Sequence, residues 1–337
     1  MIRFNCDYSE GAHEKIMERL IQTNMEQTPG YGEDYHCEKA RELIRAACNA
    51  PEADVHFLVG GTQANLTVIA AALRPHQCVI GAASAHIHVH ETGAVEACGH
   101  KILTLPSEDG KITAKQVEDC CREYVGEHMV QPKMVYISNS TELGTIYSKE
   151  ELSELSKVCR RNHLYLFMDG ARLGYGLAAS DNTLSLEDIA ALCDVFYIGG
   201  TKVGALFGEA VVITNPELKP DFRYFIKQRG GMLAKGRLLG IQFEVLFEDN
   251  LYMKISSYAD RLADKLRAAL TAAGYSYLVE NQTNQIFPIM SDEKLGQLQD
   301  KYCFNYERRI DETHSAVRIC TSWATKEEDV EALIKDL

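Results

Sequence analysis

The chain has 337 residues, of which 46% are hydrophobic and 25% charged, the make-up of a globular protein long enough for a two-part α/β enzyme with a sizeable core. A formal charge of -13 argues against a general nucleic-acid or anionic-membrane surface, so any anion bound here must be held by local donors. Eleven cysteines, an odd number without any Cys-x-x-Cys spacing, indicate neither a disulfide framework nor a thiolate zinc site, and most are expected to be small buried hydrophobes.

The N-terminal stretch Met1 to Asp7 has no basic flank followed by an apolar core, and no later apolar run approaches membrane-spanning length. A cytoplasmic protein is expected. From about residue 50 to 215, short apolar runs alternate with helical patterns, the signature of a mostly parallel sheet flanked by helices. The first run, Val55 to Val59, enters Gly60-Gly61-Thr62-Gln63 and then a helix over Leu66 to Leu73. A glycine turn feeding a helix N-terminus presents free N–H groups and a positive dipole end, so Gly61 and Thr62 are candidates to hold a phosphate. A plain strand-to-helix turn reads the same way, and neither a Walker loop nor a Gly-x-Gly-x-x-Gly fingerprint is present.

Two strands follow, Cys78 to Ile80 and Lys101 to Leu105, with His86, His88 and His90 between them. A strand would place all three imidazoles on one face and suggest zinc; a helix would align only His86 and His90. Beyond Lys133 to Ser138, the segment Ser148 to Arg161 is a helix opening on a capping-box spacing, Ser148 to Glu151. The run Leu164 to Met168 then ends on Asp169, and ligands of open α/β sheets sit beyond such strand ends. Taken alone, Asp169 reads equally as a helix cap or a surface carboxylate. The run Asp194 to Ile198 leads through Gly199-Gly200-Thr201 to Lys202, and Ala210 to Thr214 follows.

Residues 1–250 are expected to form the large domain. Residues 251–337 make a smaller α+β domain of a helix over Ser256 to Ala273 ended by Gly274, strands at Tyr275 to Val279, Gln285 to Met290 and Ala316 to Thr321, and a closing helix from Lys326 to Leu337. Residues 1–30 are candidates to pack with it.

A strand-end lysine is by itself far more often an ordinary loop residue. A partly desolvated amine, however, loses its proton easily and suits imine chemistry with pyridoxal phosphate (PLP), and a carboxylate facing a pyridine nitrogen makes that ring a better electron sink. Phosphate turn, strand-end Asp169 and strand-end Lys202, in that order, make one site more economically than three accidents.

In this setting the chain resembles, nearly end to end, the L-threonine aldolase and β-eliminating lyase family of fold-type I PLP enzymes. Tyr31-Gly32-Glu33-Asp34 is similar to the family's Tyr-Gly-[Glu/Asp]-Asp, Gly61-Thr62 to its phosphate turn, Ala85-His86-Ile87 to its Ser-His-Ile, and Asp169-Gly170-Ala171-Arg172 to its Asp-Gly-Ala-Arg. The resemblance implies that Lys202 forms the internal aldimine, that Asp169 pairs with the pyridine nitrogen, that Gly61, Thr62 and Thr201 hold the phosphate, and that His86 stacks on the ring. It gives Arg172 and Arg318 to the substrate carboxylate, a task suited to guanidinium geometry, and places Tyr31 toward a neighbouring site in a homodimer or homotetramer. The ring-stacking role of His86 is preferred over zinc, and no metal is expected. Glu91 matches a family glutamate and is left open between ordering water, tuning His86 and lying on the surface.

Two departures concern the substrate. The family's Ser-Asp falls at Cys6-Asp7, and cysteine is a poorer hydrogen-bond partner. Its Glu-Asn-Thr-His segment falls at Ser138-Asn139-Ser140-Thr141, which puts Thr141 where a histidine stands near the β-hydroxyl. Gly230-Gly231-Met232 is followed by Leu233 rather than arginine. The expected reaction is cleavage of L-threonine, L-allo-threonine or a related L-β-hydroxy-α-amino acid to glycine and an aldehyde, with His86 as candidate base. β-Elimination or transamination, and a catalytically silent PLP-binding protein, are the alternatives; a nicotinamide dehydrogenase lacks its fingerprint.

Overall fold

The computed structural model describes residues 1–337. Its centre is a seven-stranded sheet of β2 (Asp54–Leu58), β3 (Gln77–Ala82), β4 (Lys101–Leu105), β5 (Gln131–Ser138), β6 (Tyr165–Asp169), β7 (Val195–Gly199) and β8 (Glu209–Ile213), in the spatial order β2-β8-β7-β6-β5-β3-β4. The pairings β4/β3, β3/β5, β5/β6 and β6/β7 are parallel, whereas β8 runs antiparallel to both β7 and β2. This is the mostly parallel fold-type I sheet flanked by helices. Because β3 and the strands from β6 to β8 are covered on both faces, nearly all their residues are buried, which is why they read as apolar runs rather than alternating patterns.

A second, smaller sheet is built from β9 (Gln285–Ile286), β10 (Ile289–Ser291), β12 (Asn305–Arg309) and β13 (His314–Cys320), all antiparallel around β13. β1 (Ile2–Arg3) pairs with β11 (Tyr302–Cys303), and Phe4 lies in the small core with Leu262, Ile286 and Ile319. The helix Leu251–Ala272 is a spine shared by both cores: Leu251, Tyr252, Ile255 and Ala259 pack into the large one, and Leu262, Ala263, Leu266 and Leu270 into the small one. It starts five residues ahead of the expected Ser256, because the burial of its first turns against the large core cannot be read from their mixed periodicity.

The capping box at Ser148 forms as expected, with Glu151 N–H donating to Ser148 Oγ at 3.2 Å and Ser148 N–H to Glu151 Oε2 at 2.8 Å. The expected strand at Tyr275 to Val279 is reduced to one bridge, Tyr277 with Pro288, and Gln285 to Met290 is split at Phe287-Pro288, where proline cannot donate to a ladder. β12, rich in charge, carried no strand signal. All eleven cysteines are free thiols and most are buried. No helix is long and apolar enough to cross a membrane.

The helices Tyr35–Ala47 and Arg237–Phe247 approach each other closely through Gly240, whose Cβ would stand 2.6 Å from Cys37 Cα and 2.7 Å from its nitrogen. Backbone cannot yield as a side chain can. Gly240→Ala is therefore expected to destabilise the protein by about 1–3 kcal/mol through overpacking, despite alanine's better helix propensity, as read by the urea midpoint.

Candidate active site

A cavity of about 310 Å³ opens at the carboxyl ends of the parallel strands, where a doubly wound sheet leaves room between the loops. Its walls include Gly60 to Thr62 after β2, His86 after β3, Ser138 to Glu142 at and after β5, and Asp169 to Arg172 at and after β6; Tyr197, Thr201 and Lys202 come from β7 and the turn beyond it. Glu209 at the start of β8 and Tyr8 from the N-terminal segment complete it. The register explains the convergence: Ser138 lies opposite Asp169, and Glu209 lies opposite both Gly199 and Leu58.

Asp169 is buried and held from three directions. Its Oδ2 accepts the Tyr136 hydroxyl and, at 3.1 Å, the Asn65 amide, while Oδ1 accepts the Ala171 N–H at 2.9 Å. Asn65 Nδ2 also donates to Glu91 Oε1 at 2.8 Å, and that oxygen meets His86 Nδ1 at 2.8 Å. Glu91 is thus a buried partner of His86 rather than a surface carboxylate. Residues His86–Val89 form a helical turn, which leaves His88 exposed and brings the His86 and His90 rings to 5.4 Å.

Arg172 and Asp7 form a buried two-point ion pair, Nε to Oδ2 at 2.7 Å and Nη2 to Oδ1 at 3.0 Å, and Asn284 donates to the same Oδ2 at 2.9 Å. Burial opposes the charge of each, yet each is overcome by its partner: Arg172 holds Asp7 below the usual carboxylate range and Asp7 holds Arg172 above its own. Asp7 and Asn284 are site components that sequence reading did not assign. Lys202 lies beside this pair. Burial and the Arg172 charge push its ammonium pKa down, against the pull of Asp7, Asp169 and Glu209.

Thr201 lines the cavity, but its hydroxyl donates to Glu209 Oε1 at 2.8 Å and accepts the Gly208 N–H at 3.0 Å, so it is committed to protein partners rather than free for a phosphate. Glu209 Oε2 accepts the Gly200 N–H at 3.2 Å, and burial raises the Glu209 carboxyl to about 8 against the lowering effects of Thr201 and Lys202. Glu209 was missed because an acidic residue opening an apolar run carries no motif. Thr141 also lines the cavity, with its hydroxyl paired to Thr145 Oγ1 at 2.7 Å.

Two residues that the resemblance brings to the substrate, Cys6 and Arg318, and Tyr31, which it places toward a neighbouring site, lie off the cavity wall. Cys6 Sγ faces Ser9 Oγ at 3.2 Å. Arg318, on β13, donates to the Asn5 carbonyl at 3.3 Å and pairs with Glu307 at 3.7 Å, although its charge is felt at Tyr8 and His90. Tyr31, half-exposed, borders a separate small hollow with Arg41, Arg223 and Met232. The reason is geometric: all three belong to segments outside the strand-end loops of the large sheet.

These residues fit PLP. The helix Gly61–Ala72 begins with no side-chain cap, its first residues Gly61 and Thr62 line the cavity, and a Cβ on Gly60 would meet nothing within 4 Å. At Gly61 a Cβ would instead press on the Tyr197 hydroxyl at 3.0 Å, so the cradle is kept open by glycine. A primary amine with a depressed pKa and a carboxylate locked by three donors stand in the same space.

A family model described as β-eliminating lyase matches residues 5–293. The chain belongs to this family. As a member of it, the chain is a PLP-dependent lyase. Over 99% of its length it is 46% identical to Leishmania major threonine aldolase, whose structure it matches with a TM-score of 0.99 over 98% of that chain. It is 29% identical to the low specificity L-threonine aldolase of Pseudomonas aeruginosa, over 99% of this chain and 96% of that one. A Thermus thermophilus aspartate aminotransferase variant, 15% identical with a TM-score of 0.73 over 100% of this chain and 90% of the other, shares the fold.

The raised Glu209 carboxyl makes a signed prediction for this lyase. A group with a folded pKa of about 8 against 4.5 unfolded contributes stability that is complete below about 4.5 and is lost as pH rises through 8. The stability difference between wild type and Glu209→Gln should therefore fall from pH 5 to pH 8, followed by urea midpoints; a difference independent of pH would contradict it.

Proposed function

We propose that this lyase cleaves L-threonine, L-allo-threonine or a related L-β-hydroxy-α-amino acid to glycine and an aldehyde. The observation that carries the reading is the meeting of Lys202, Asp169 and the open Gly60-Gly61-Thr62 cradle in one cavity, in a chain that matches a threonine aldolase along nearly its whole length. Lys202 is assigned as the residue that binds PLP covalently, the N–H groups of Gly61 and Thr62 as holders of its phosphate, and Asp169 as the carboxylate facing the ring nitrogen. Bound there, PLP supplies an electron sink conjugated to the substrate nitrogen.

The protein's own groups do the rest. The depressed Lys202 pKa keeps a larger share of the amine unprotonated near neutral pH, the form that would bond covalently to PLP. Tyr136 and Asn65 hold Asp169 so that it cannot turn away. Asp7 occupies Nε and Nη2 of Arg172, leaving Nη1 for the substrate carboxylate and fixing its direction. Gripping the carboxylate decides which Cα bond is set for cleavage. His86, tied to Glu91, covers the cavity. Arg318 and Cys6 belong to the small-domain side of the substrate in this reading, and Tyr31 to a neighbouring subunit of a cytoplasmic homodimer or homotetramer.

Thr141 supports keeping β-elimination or transamination as a second reading, because its hydroxyl is spent on Thr145 and offers no base to a β-hydroxyl. Product analysis separates the two. With L-threonine, L-allo-threonine and β-phenylserine, the PLP-loaded protein is expected to release glycine and the matching aldehyde; oxo acid without glycine across that panel would sink the aldolase reading.

A further inference from the structure

Breaking a Cα–Cβ bond beside a β-hydroxyl requires a group that takes the hydroxyl proton, and on the aldolase reading above this cavity must hold one. Most of its titratable side chains are already committed. Asp169 uses both oxygens on Tyr136, Asn65 and the Ala171 N–H, and Glu209 uses both on Thr201 and the Gly200 N–H. Lys202 is given to the cofactor, and Arg172 keeps its charge in the pair with Asp7. Tyr197 is buried and burial pushes its hydroxyl far above its ordinary value, and burial also raises the hydroxyl of Tyr8. His86 and Glu142 remain.

Glu142 sits in the turn after β5 and lines the cavity. Its Oε1 takes two bonds, from the Ser138 hydroxyl at 2.8 Å and the His86 backbone N–H at 2.9 Å. Those two donors, with Glu142's own backbone N–H, set the plane of the carboxylate, and no other residue donates to Oε2. The turn itself is pinned from outside: Thr141 Oγ1 meets Thr145 Oγ1 at 2.7 Å, Asn281 donates to the Leu143 carbonyl at 3.0 Å, and Thr283 donates to the Gly144 carbonyl at 2.9 Å. A side chain carried on so fixed a support is held in one place, as proton transfer demands.

We propose that Glu142 is the catalytic base of the cleavage, accepting the substrate β-hydroxyl proton on Oε2. The O–H bond breaks with its proton passing to Glu142, and the oxygen's electron pair closes the carbonyl of the aldehyde. The Cα–Cβ pair stays with Cα, and a proton taken up there balances the one lost, leaving glycine. His86 serves as a positioning residue, its N–H on Glu142 and its ring on Glu91. The groups facing Glu142 are Asp169 from β6, His86 from the turn after β3, Tyr136 from β5 and Tyr147 beyond the turn. Burial first and Asp169 second raise the Glu142 pKa, which strengthens it as a base near neutral pH.

The test uses the PLP-loaded enzyme and Glu142→Gln, which keeps the shape and the Oε1 acceptor, with Glu142→Asp as a second variant retaining the charge. For the glutamine variant, kcat for glycine release should fall by about 10²–10⁴, and the acidic limb of kcat/KM should disappear. The bound-cofactor absorbance and the rate of α-proton exchange of glycine in D₂O should stay within about threefold of wild type, since neither involves a β-hydroxyl. The aspartate variant should recover part of the rate and restore an acidic limb. Wild-type turnover in the glutamine variant overturns the proposal, and so does a parallel loss of glycine exchange, which would make Glu142 a support of the whole site. If wild type exchanges glycine yet releases none from any β-hydroxy amino acid, the aldolase reading fails and not the placement of Glu142 alone.

Discussion

The buried ion pair between Asp7 and Arg172 is the interaction on which the rest of the site depends. It joins the N-terminal segment, anchored in the small core through Phe4, to the turn after β6 in the large sheet, and Asn284, just before β9, closes it. Two charges out of water are tolerable only when nearly every donor and acceptor is used, and removing one partner of such a pair typically costs about 3–5 kcal/mol. The geometry here meets that demand at Asp7, with two parallel bonds and a third from an amide, and leaves Nη1 of Arg172 unused by Asp7. The pair thus ties the N-terminal segment and the residue before β9 to the turn after β6, and it fixes the guanidinium at the cavity wall.

The same pair shapes the chemistry of its neighbour. Lys202 lies in a space containing Arg172, Asp7, Asp169 and Glu209, so its proton affinity is a balance between one like charge plus burial and three carboxyls. Burial and Arg172 win. Glu209 answers by holding its own proton to about pH 8, which lessens the negative charge beneath the lysine. The carboxyls are then divided by their surroundings: Asp169 is saturated with donors, Glu209 caps the turn that carries Lys202, and Glu142 keeps an oxygen open to the cavity. That division of labour follows from hydrogen-bond partners more than from residue type.

Strand-end placement was the legible part of this site. Asp169 and Lys202 each follow a buried apolar run, and a parallel sheet brings such ends together whatever the loops between them contain. The glycine turn at Gly60-Gly61 and the helix at Ser148 were legible for the same local reason, a turn or cap signal beside a periodic pattern. Asp7, Asn65, Tyr136, Glu142 and Glu209 were not, because each acquires its role from a partner between roughly 8 and 165 positions away that only the fold brings near. The His86 to His90 stretch shows the limit of periodicity: four residues are too few to separate a strand from a helical turn, and the turn decides which imidazole faces the cavity. The resemblance gives Arg318 and Cys6 to the substrate, and in the fold of one chain their partners are Glu307, the Asn5 carbonyl and Ser9.

The central claim is that Lys202 is the point of covalent attachment. Borohydride reduction of the PLP-loaded protein, followed by proteolysis and mass mapping, tests it most directly. The account predicts a pyridoxyl mark on the peptide containing Lys202 and none on that peptide in Lys202→Ala. A mark on another lysine, or one that persists after Lys202 is replaced, would contradict it.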